Sequence, residues 1–325
     1  MAVEAAALET YDMTTIREDL TEAENLISPT ETPFQSMIAG TGKAKSTLHE
    51  WPLTELGAVD GSNRVIEGDD APPTDNPVVS SRRQNYCQIS DKKVRVTDTS
   101  QAVDAAANIE DIAKQISYKL RELKRDKETM LLSKALAIPG SSGVARSAAG
   151  LYCFLITNAD RATVGTPGTA PTLSGTTAGY PNATGTAGTP RALTEVMFNA
   201  VMQACWTQGG EPKYALVSAI NKRLISSTFT GNATKFKDAD DRKIISAIDI
   251  YESDFGQVKI VPDRFTLASA VYMIDPEYVD ICNLYGTRQL PLARTGHSEA
   301  RLIQCEYTLE VGNEKAHGIV ADTLG

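Results

Sequence analysis

The chain of 325 residues is 42% hydrophobic and 22% charged, and its formal net charge is −9 at pH 7. This composition is ordinary for a globular protein of one large or two smaller domains, and its acidity argues against a dedicated nucleic-acid-binding protein, which would be basic. No run of about 18 apolar residues occurs, so we expect no membrane contact. The scattered cysteines and the lack of a signal peptide over residues 1–8 predict reduced thiols.

The N-terminal residues 1–42 predict an arm that rests on another surface. The prolines of the segment 28–34 (SPTETPF) force an extended or turning path, and the apolar residues are too many for a free disordered tail. Residues 40–43 (GTGK) resemble a phosphate loop. Met37 replaces the first glycine of that motif and Ala44 replaces its Ser or Thr, so a hinge is the better interpretation.

Residues 43–98 predict an extended, two-stranded β-ribbon. The run 47–53 alternates as a strand does, and the segments 85–90 and 93–97 are its predicted return. Between them lies a polar tip, 57–77, which is rich in Gly, Pro and acidic residues. A ribbon this long with so few apolar residues cannot have its own core, so it must lie on a neighbouring surface.

A long amphipathic helix is predicted over residues 108–137, before a Pro-Gly pair. Its apolar residues recur at helical spacing, which favours a helix laid along a sheet; the spacing of a coiled coil does not persist. Lys127 occupies a position at which the helical spacing of this stripe predicts an apolar residue. Residues 163–190 form a low-complexity insert of Gly, Thr, Ala and Pro, for which we expect an exposed, mobile loop.

A second compact region begins at Thr194, a suitable helix N-cap, and its first helix ends at a Gly-Gly pair. A second, short helix is predicted over 220–227 and a polar loop over 231–241. The remaining predicted strands are 214–218, 243–250, 258–261, 271–274, 300–309 and 316–321. Strands on both sides of the long helix give an α+β fold class, and the C-terminal strands are expected to close a sheet near that helix.

The sequence shows no coherent catalytic, cofactor or metal site, so we predict none. The three histidines are far apart, and no cysteine pair has the spacing of a zinc site. The acidic runs 67–70 and 238–241 lack the spacing of ligand residues that a calcium-binding loop requires. Residues 90–93 match Ser-x-x-Lys without any partner motif, which favours a solvated strand edge.

Opposite charges along the predicted ribbon indicate contacts between subunits. In isolation they would be screened surface charges of little energetic worth. In a repeated assembly, the acidic tip of one copy would instead meet the basic patch of another and set the register. The candidate intersubunit contacts are Phe34, Trp51, Glu67, Asp69, Asp70, Arg82, Arg83, Lys92 and Lys93.

An apolar arm, a coreless ribbon, a long helix and a second α+β domain together resemble the major capsid proteins of tailed bacteriophages. Their shared architecture is called the Johnson fold. Over the first 140 residues the resemblance extends to local sequence, and beyond them it rests on the order of elements. The similar segments are 16–20 (IREDL), 27–34 (ISPTETPF), 49–51 (HEW), 67–71 (EGDDA) and 121–128 (RELKRDKE).

The resemblance implies a division of the chain into five parts. These are an N-arm (1–42), an extended loop (43–98), a peripheral domain with the long helix and the insert (99–192), an axial domain (193–285), and a return to the peripheral-domain sheet (286–325).

The resemblance also implies a structural protein, not an enzyme, that self-assembles as hexamers and pentamers into an icosahedral phage head around packaged double-stranded DNA. Assembly is expected in the bacterial host cytoplasm, with the product in the virion. Scaffold, portal and decoration proteins are implied as partners, with weak, non-specific contact to the DNA. Because no long scaffolding domain precedes the arm, a separate scaffold protein is expected if one is used.

Two alternatives remain open at this stage. An encapsulin-like shell for cellular cargo would use the same fold, although the acidic charge and the phage-like arm argue against it. A soluble enzyme or ligand-binding α+β protein is the third interpretation, and the lack of a coherent site counts against that one.

Overall fold

The computed structural model of the protein describes residues 28–38, 40, 42–57, 59–64, 66–68, 78–103, 111–175, 178–229 and 249–324. Several predictions therefore lie wholly or partly outside the described residues. They concern the arm before residue 28, the acidic residues Asp69 and Asp70, the start of the long helix at 108–110, and the loop and strand within 231–248.

Helices and strands are mixed along the chain, which confirms the α+β class. The helices among the described residues are α1 (Pro33–Met37), α2 (Asp98–Ala102), α3 (Ile112–Leu131), α4 (Glu195–Thr207) and α5 (Ala219–Thr228). The strands are β1 (Leu48–Leu53), β2 (Ser81–Tyr86), β3 (Gln88–Thr97), β4 (Ala159–Asp160), β5 (Thr172–Leu173), β6 (Pro181–Ala183), β7 (Tyr214–Val217), β8 (Ile250–Ser253), β9 (Gly256–Pro262), β10 (Ala270–Ile274), β11 (Val279–Pro291), β12 (Ser298–Val311) and β13 (Gly318–Ala321). No helix in the described part of the chain is both long and apolar enough to cross a membrane.

Two sheets carry the fold. The larger has six strands in the order β4-β13-β10-β7-β9-β8, and the smaller has three in the order β11-β12-β3. In these sheets β4 is parallel to β13 and β7 to β9, whereas the other neighbours are antiparallel. Strand β1 matches the predicted run 47–53, but it pairs with β2, so that Leu48 lies opposite Tyr86. Most of the predicted return, 85–90 and 93–97, belongs instead to β3, which pairs with β12 in the three-stranded sheet. The ribbon is therefore the pair of β1 and β2 with the segment 54–80 that connects them.

Strand β10 separates two hydrophobic cores through the two-residue alternation of a strand. Val271 and Met273 face a core shared with α4 and α5, whereas Tyr272 and Ile274 face a larger core shared with α3 and the three-stranded sheet. The Tyr272 hydroxyl also donates to the carbonyl of Leu132, just beyond α3, at 2.8 Å. This bond satisfies a polar atom that burial would otherwise leave without a partner.

The long helix is confirmed but is shorter than predicted. Asp111 caps its N-terminus by accepting a hydrogen bond from the amide two residues on, and the helix ends at Leu131 instead of residue 137. The Ser133 hydroxyl donates to the Met130 carbonyl and accepts from the amide two residues on, which replaces a further helical turn by a local turn. With 20 residues the helix is about 30 Å long, against the roughly 45 Å expected.

Lys127 lies on the sheet-facing side of α3 and does not interrupt the contact with the sheet. Its ammonium group is 4.5 Å from the centre of the Tyr307 ring on β12 and 3.4 Å from the Asn283 side-chain oxygen. Burial lowers the pKa of this lysine. The lysine can occupy an apolar position because its aliphatic chain packs in the contact with the sheet, while its ammonium group lies over an aromatic ring. Leu120, predicted in the same stripe, is instead 41% exposed.

The C-terminal strands return to both sheets. Strand β12 pairs with β3 beneath the long helix, as expected for the return to that sheet. The last strand, β13, pairs with β10 and β4 in the six-stranded sheet, so the segment 286–325 does not return to one sheet alone. The sequence analysis missed β11, which begins at Val279 and crosses the expected boundary after residue 285.

The helices of the second region begin and end where the sequence predicts. The Thr194 hydroxyl accepts a hydrogen bond from the amide three residues on and caps α4, and Ser218 caps α5 in the same way. Gly209 follows α4 with a φ of 89°, a left-handed conformation that favours glycine after a helix. The predicted strands 214–218 and 258–261 correspond to β7 and β9.

The low-complexity insert packs on the ribbon of its own chain. Gly179, between β5 and β6, donates a backbone hydrogen bond to the carbonyl of Arg82 and accepts one from the amide of Gln84. The Tyr180 ring packs edge-on against that of Tyr86, with centroids 5.3 Å apart. Much of the insert is exposed as expected, but part of the surface that the ribbon was expected to need is supplied by this segment of the same chain.

His317 predicts a pH dependence of stability. It is fully buried, its Nδ1 accepts from the amide of Asp275, and burial lowers its pKa from 6.5 to about 4. Below pH 6.5 the unfolded chain binds a proton that the folded chain excludes until about pH 4, so stability falls as pH falls through this window. Urea unfolding of the wild-type chain at pH 7 and pH 5 should show a loss of unfolding free energy that is larger by on the order of 2 kcal/mol than the loss in His317→Gln. His297→Gln, which alters a ring that is 71% exposed, is the control and should keep the full loss. Equal losses in wild type and His317→Gln would contradict this account.

Candidate functional site

The root of the ribbon is fixed in the core of the chain. The Trp51 indole N–H donates to the Val311 carbonyl at 2.8 Å, and the fully buried Asn85 amide donates to the Leu309 carbonyl at 2.9 Å. The Asn85 side-chain oxygen accepts from the amide of Ala149 at 2.8 Å. Two polar side chains of the ribbon therefore have their partners inside the subunit, which ties β1 and β2 to β12.

A buried ion pair adds to this attachment. The Arg83 guanidinium on β2 is 3.7 Å from the carboxylate of Glu314, and both side chains are about one-tenth exposed. Glu314 also accepts hydrogen bonds from the amides of Ile156 and Thr157 and from the Thr157 hydroxyl. Because the two charges are paired at a buried position, removing Glu314 would leave the Arg83 guanidinium buried without compensation.

The described part of the arm docks on the long helix. Glu128 on α3 is buried and accepts hydrogen bonds from the amides of Phe34 and Gln35, at 2.7 and 3.1 Å, and from the Gln35 side chain at 2.8 Å. The Glu128 carboxylate thus accepts hydrogen bonds from amides in the first turn of α1, which have no partner within the helix. Burial raises the pKa of Glu128, while these hydrogen bonds oppose the rise. Phe34 itself is fully buried in the larger core.

The distal part of the ribbon exposes apolar side chains. Isolated exposed apolar residues are common, but several on one segment are typical of a surface suited to contact with another protein. The sequence analysis described residues 57–77 as a polar tip and missed Val59 and Ile66 within it, because Gly, Pro and acidic residues surround them. The large aliphatic residues on the described part, each between 52% and 99% exposed, are Leu56, Val59, Ile66, Val78 and Val79.

Some of the predicted intersubunit contacts have partners inside the chain instead. Phe34, Trp51 and Arg83 are buried in the contacts described above, which leaves little of them for another subunit. Lys92 on β3 forms an ion pair with Asp126 on α3, with the nitrogen and oxygen 2.6 Å apart, and this hydrogen bond raises the pKa of the lysine.

Other predicted contacts remain on the surface. Glu67, Arg82 and Lys93 are exposed, and their contact with another subunit stays a prediction. Asp69 and Asp70 lie outside the described residues. Both signs of charge are thus still presented along the ribbon and its continuation into β3.

The structure also brings together three side chains that the sequence analysis did not associate. His49, Cys282 and Glu310 lie on β1, β11 and β12, and their ligand atoms are all within 4.8 Å of one another. His49 and Glu310 are 261 residues apart, and no local sequence pattern predicts their contact. The prediction of no metal ligands considered sequence spacing alone, which does not detect residues that converge from separate strands.

Electrostatics within this cluster follow from burial and hydrogen bonding. The bond from His49 lowers the pKa of the Glu310 carboxyl, and burial together with the hydrogen bond to Glu310 raises the pKa of the Cys282 thiol. The five cysteines are all free and buried, which confirms the predicted thiols. Burial also raises the pKa of Cys153 and Cys205 to about 12, which disfavours thiolate chemistry at those positions.

Comparison with known sequences identifies related proteins. The sequence profile of the family described as SU10 major capsid protein matches residues 7–324 of this chain. The major capsid protein of Escherichia phage Phieco32 is 36% identical over 110 residues, which are 34% of this chain and 30% of that protein. The match to this relative therefore spans less than a third of its length.

Solved structures share the fold over nearly the whole chain. The cyanophage A-1(L) capsid asymmetric unit superposes with a TM-score of 0.62 at 15% identity, covering 97% of this chain and 98% of that one. The holo-SrpI encapsulin complex from Synechococcus elongatus PCC 7942 gives a TM-score of 0.56 at 10% identity, with coverage of 98% and 96%. At these identities the likeness shows the fold alone, and that fold is the Johnson fold expected from the sequence.

Glu128 provides a test of arm docking. Glu128→Ala removes the acceptor of two backbone amides, so we expect the free energy of unfolding to fall by about 1–3 kcal/mol and the arm to become sensitive to protease. Arg121→Ala, at an exposed position of the same helix, is the control and should change neither. Urea unfolding and limited proteolysis of dissociated subunits would measure both effects. An arm that stays as protected in Glu128→Ala as in the wild type would refute the role given to this carboxylate.

Proposed function

Because this chain belongs to the SU10 major capsid protein family, we propose that it self-assembles into the icosahedral head shell of a tailed phage. Hexamers and pentamers of the subunit would form the shell around packaged double-stranded DNA. The observation that carries the proposal is the ribbon, whose root is fixed in the core while its described distal part exposes large aliphatic side chains. Such a projection is suited to lie on a neighbouring subunit.

The exposed aliphatic side chains favour association in energetic terms. Covering one such side chain contributes about 1.5–3 kcal/mol. A single ribbon contact would lose much of this gain to the entropy of association. In a closed shell each subunit both gives and receives a ribbon, so modest contacts are repeated and their effects combine.

Charges on the ribbon are suited to setting its register on a neighbour. Glu67 in the tip is acidic, whereas Arg82 on β2 and Lys93 on the following strand β3 are basic, and all three are exposed. Rim charges of this kind contribute little affinity but disfavour misaligned pairings. We therefore retain these residues as proposed intersubunit contacts.

Other partners follow from the family resemblance. Scaffold, portal and decoration proteins would bind the shell or its precursor. Contact with the enclosed DNA would be weak and non-specific, because a subunit of net charge −9 gains little from phosphate neutralisation. The subunit would assemble in the bacterial host cytoplasm, reside in the virion and carry out no catalysis.

An encapsulin-like cargo shell is the second candidate, because the SrpI encapsulin shares the fold over almost the entire chain. The family match and the likeness to the Phieco32 capsid protein favour the phage head. The contents of particles isolated from producing cells distinguish the two, since a phage head holds double-stranded DNA and a cargo shell holds protein.

The ribbon tip provides the direct test of assembly. Leu56→Asp with Val59→Asp places charges on two positions that are 88% and 99% exposed, so the subunit should stay folded while shells disappear. Leu56→Met with Val59→Ile is the matched control and should still assemble, because it keeps apolar side chains at the same positions. Electron microscopy of purified protein, with circular dichroism of the subunits, would record both results.

Removal of residues 57–77 extends this test to the entire tip. We expect a folded subunit that forms no shells, tubes or capsomers. Shells formed without these residues would exclude the ribbon from assembly, and an unfolded subunit would place the tip in the core. A wild-type protein that stays monomeric under all conditions would overturn the proposed function itself.

A further inference from the structure

A cluster of three ligand-type side chains lies where the root of the ribbon meets the three-stranded sheet. The Oε2 atom of Glu310 is 2.8 Å from His49 Nε2 and 3.0 Å from Cys282 Sγ. Cys282 is 1% exposed, and the side chains of His49 and Glu310 are 15% and 28% exposed. The cluster is thus largely enclosed, with an opening on the histidine and carboxylate side.

We infer that His49, Cys282 and Glu310 form a binding site for a divalent cation of the zinc class. An imidazole nitrogen, a thiolate and a carboxylate oxygen are the three donor types of protein zinc sites. The sulfur disfavours the hard cations Ca²⁺ and Mg²⁺, which take oxygen ligands. Three protein ligands leave one position of a tetrahedron for a water molecule or a further side chain.

Two of the three distances between ligand atoms, those to Glu310, suit an ion with little rearrangement. Zinc bonds of about 2.0–2.3 Å in a tetrahedron separate neighbouring ligand atoms by roughly 3.3–3.7 Å. The two contacts to Glu310 would therefore each open by less than about 1 Å as the ion replaces the shared protons. The His49 ring is already oriented by packing against Trp51, with the ring centroids 5.7 Å apart.

Gly42 lies close to both Cys282 and the carboxylate of Asp280. A Cβ built on Gly42 would lie 2.3 Å from Cys282 Sγ and 2.9 Å from Asp280 Oδ2, so both atoms face the same point of the backbone. Glycine at this position lets the hinge segment pass close to the cluster. A side chain there would push against the sulfur and the carboxylate.

A bound cation would join three strands across the ribbon root. His49 is on β1, whereas Cys282 and Glu310 are on β11 and β12 of the sheet. Metal–ligand bonds would add to the hydrogen bonds of Trp51 and Asn85 at the same junction and would restrict the angle at which the ribbon leaves the subunit.

Cobalt(II) titration of the full-length, unassembled subunit tests the site, because cobalt substitutes for zinc and reports thiolate ligation by absorption. We expect one cobalt ion per chain, a thiolate-to-cobalt charge-transfer band in the near ultraviolet, and displacement of the cobalt by zinc. Cys282→Ser should lose the band, and His49→Gln should weaken cobalt binding by at least about tenfold. Cys205→Ser, which alters a buried cysteine on α4, is the matched control and should keep both.

A second measurement covers the case in which Cys282→Ser does not fold. Zinc should raise the melting temperature of the wild-type subunit and of Cys205→Ser, but not that of His49→Gln, whose fold is verified by circular dichroism. The inference is overturned if no charge-transfer band appears, if Cys282→Ser keeps the band, or if zinc stabilises His49→Gln as much as wild type. Because the subunit is unassembled, failure of this test is distinct from failure of shell formation.

Discussion

Strand β12 is the constraint on which the rest of the molecule depends. It pairs with β11 along one edge and with β3 along the other, while Tyr307 on its face lies under the long helix. Its carbonyls at Leu309 and Val311 accept the hydrogen bonds that hold the ribbon root. Helix, sheet and ribbon therefore share one element, and a shift of β12 would move all of them together.

Local signals in the sequence were sufficient to predict the two helices and strand β7 of the second region. Thr194 and Ser218 are caps whose side chains act within three residues, and the buried strand β7 is a short apolar run. These features depend on neighbours in the chain, so periodicity and capping rules identify them. The first strand of the ribbon and the long helix were found in the same way, whereas the return strand of the ribbon was placed too far along the chain.

Features that depend on distant partners could not be predicted. The end of α3 is set by the Ser133 hydroxyl, which competes with helix formation only in the conformation that packing selects. The pairing of Gly179 with β2 and the convergence of His49 with Glu310 join residues far apart in sequence. A pattern of residue types contains no information on such register, which emerges only when the strands have paired.

The alternation along β10 has a consequence for how the subunit comes apart. Its side chains enter both cores, and the Tyr272 hydroxyl holds the residue that follows α3. If one core loses its packing and β10 moves, the side chains on the other face of β10 lose their packing in the second core as well. The two cores are therefore expected to behave as one cooperative unit in hydrogen exchange and unfolding.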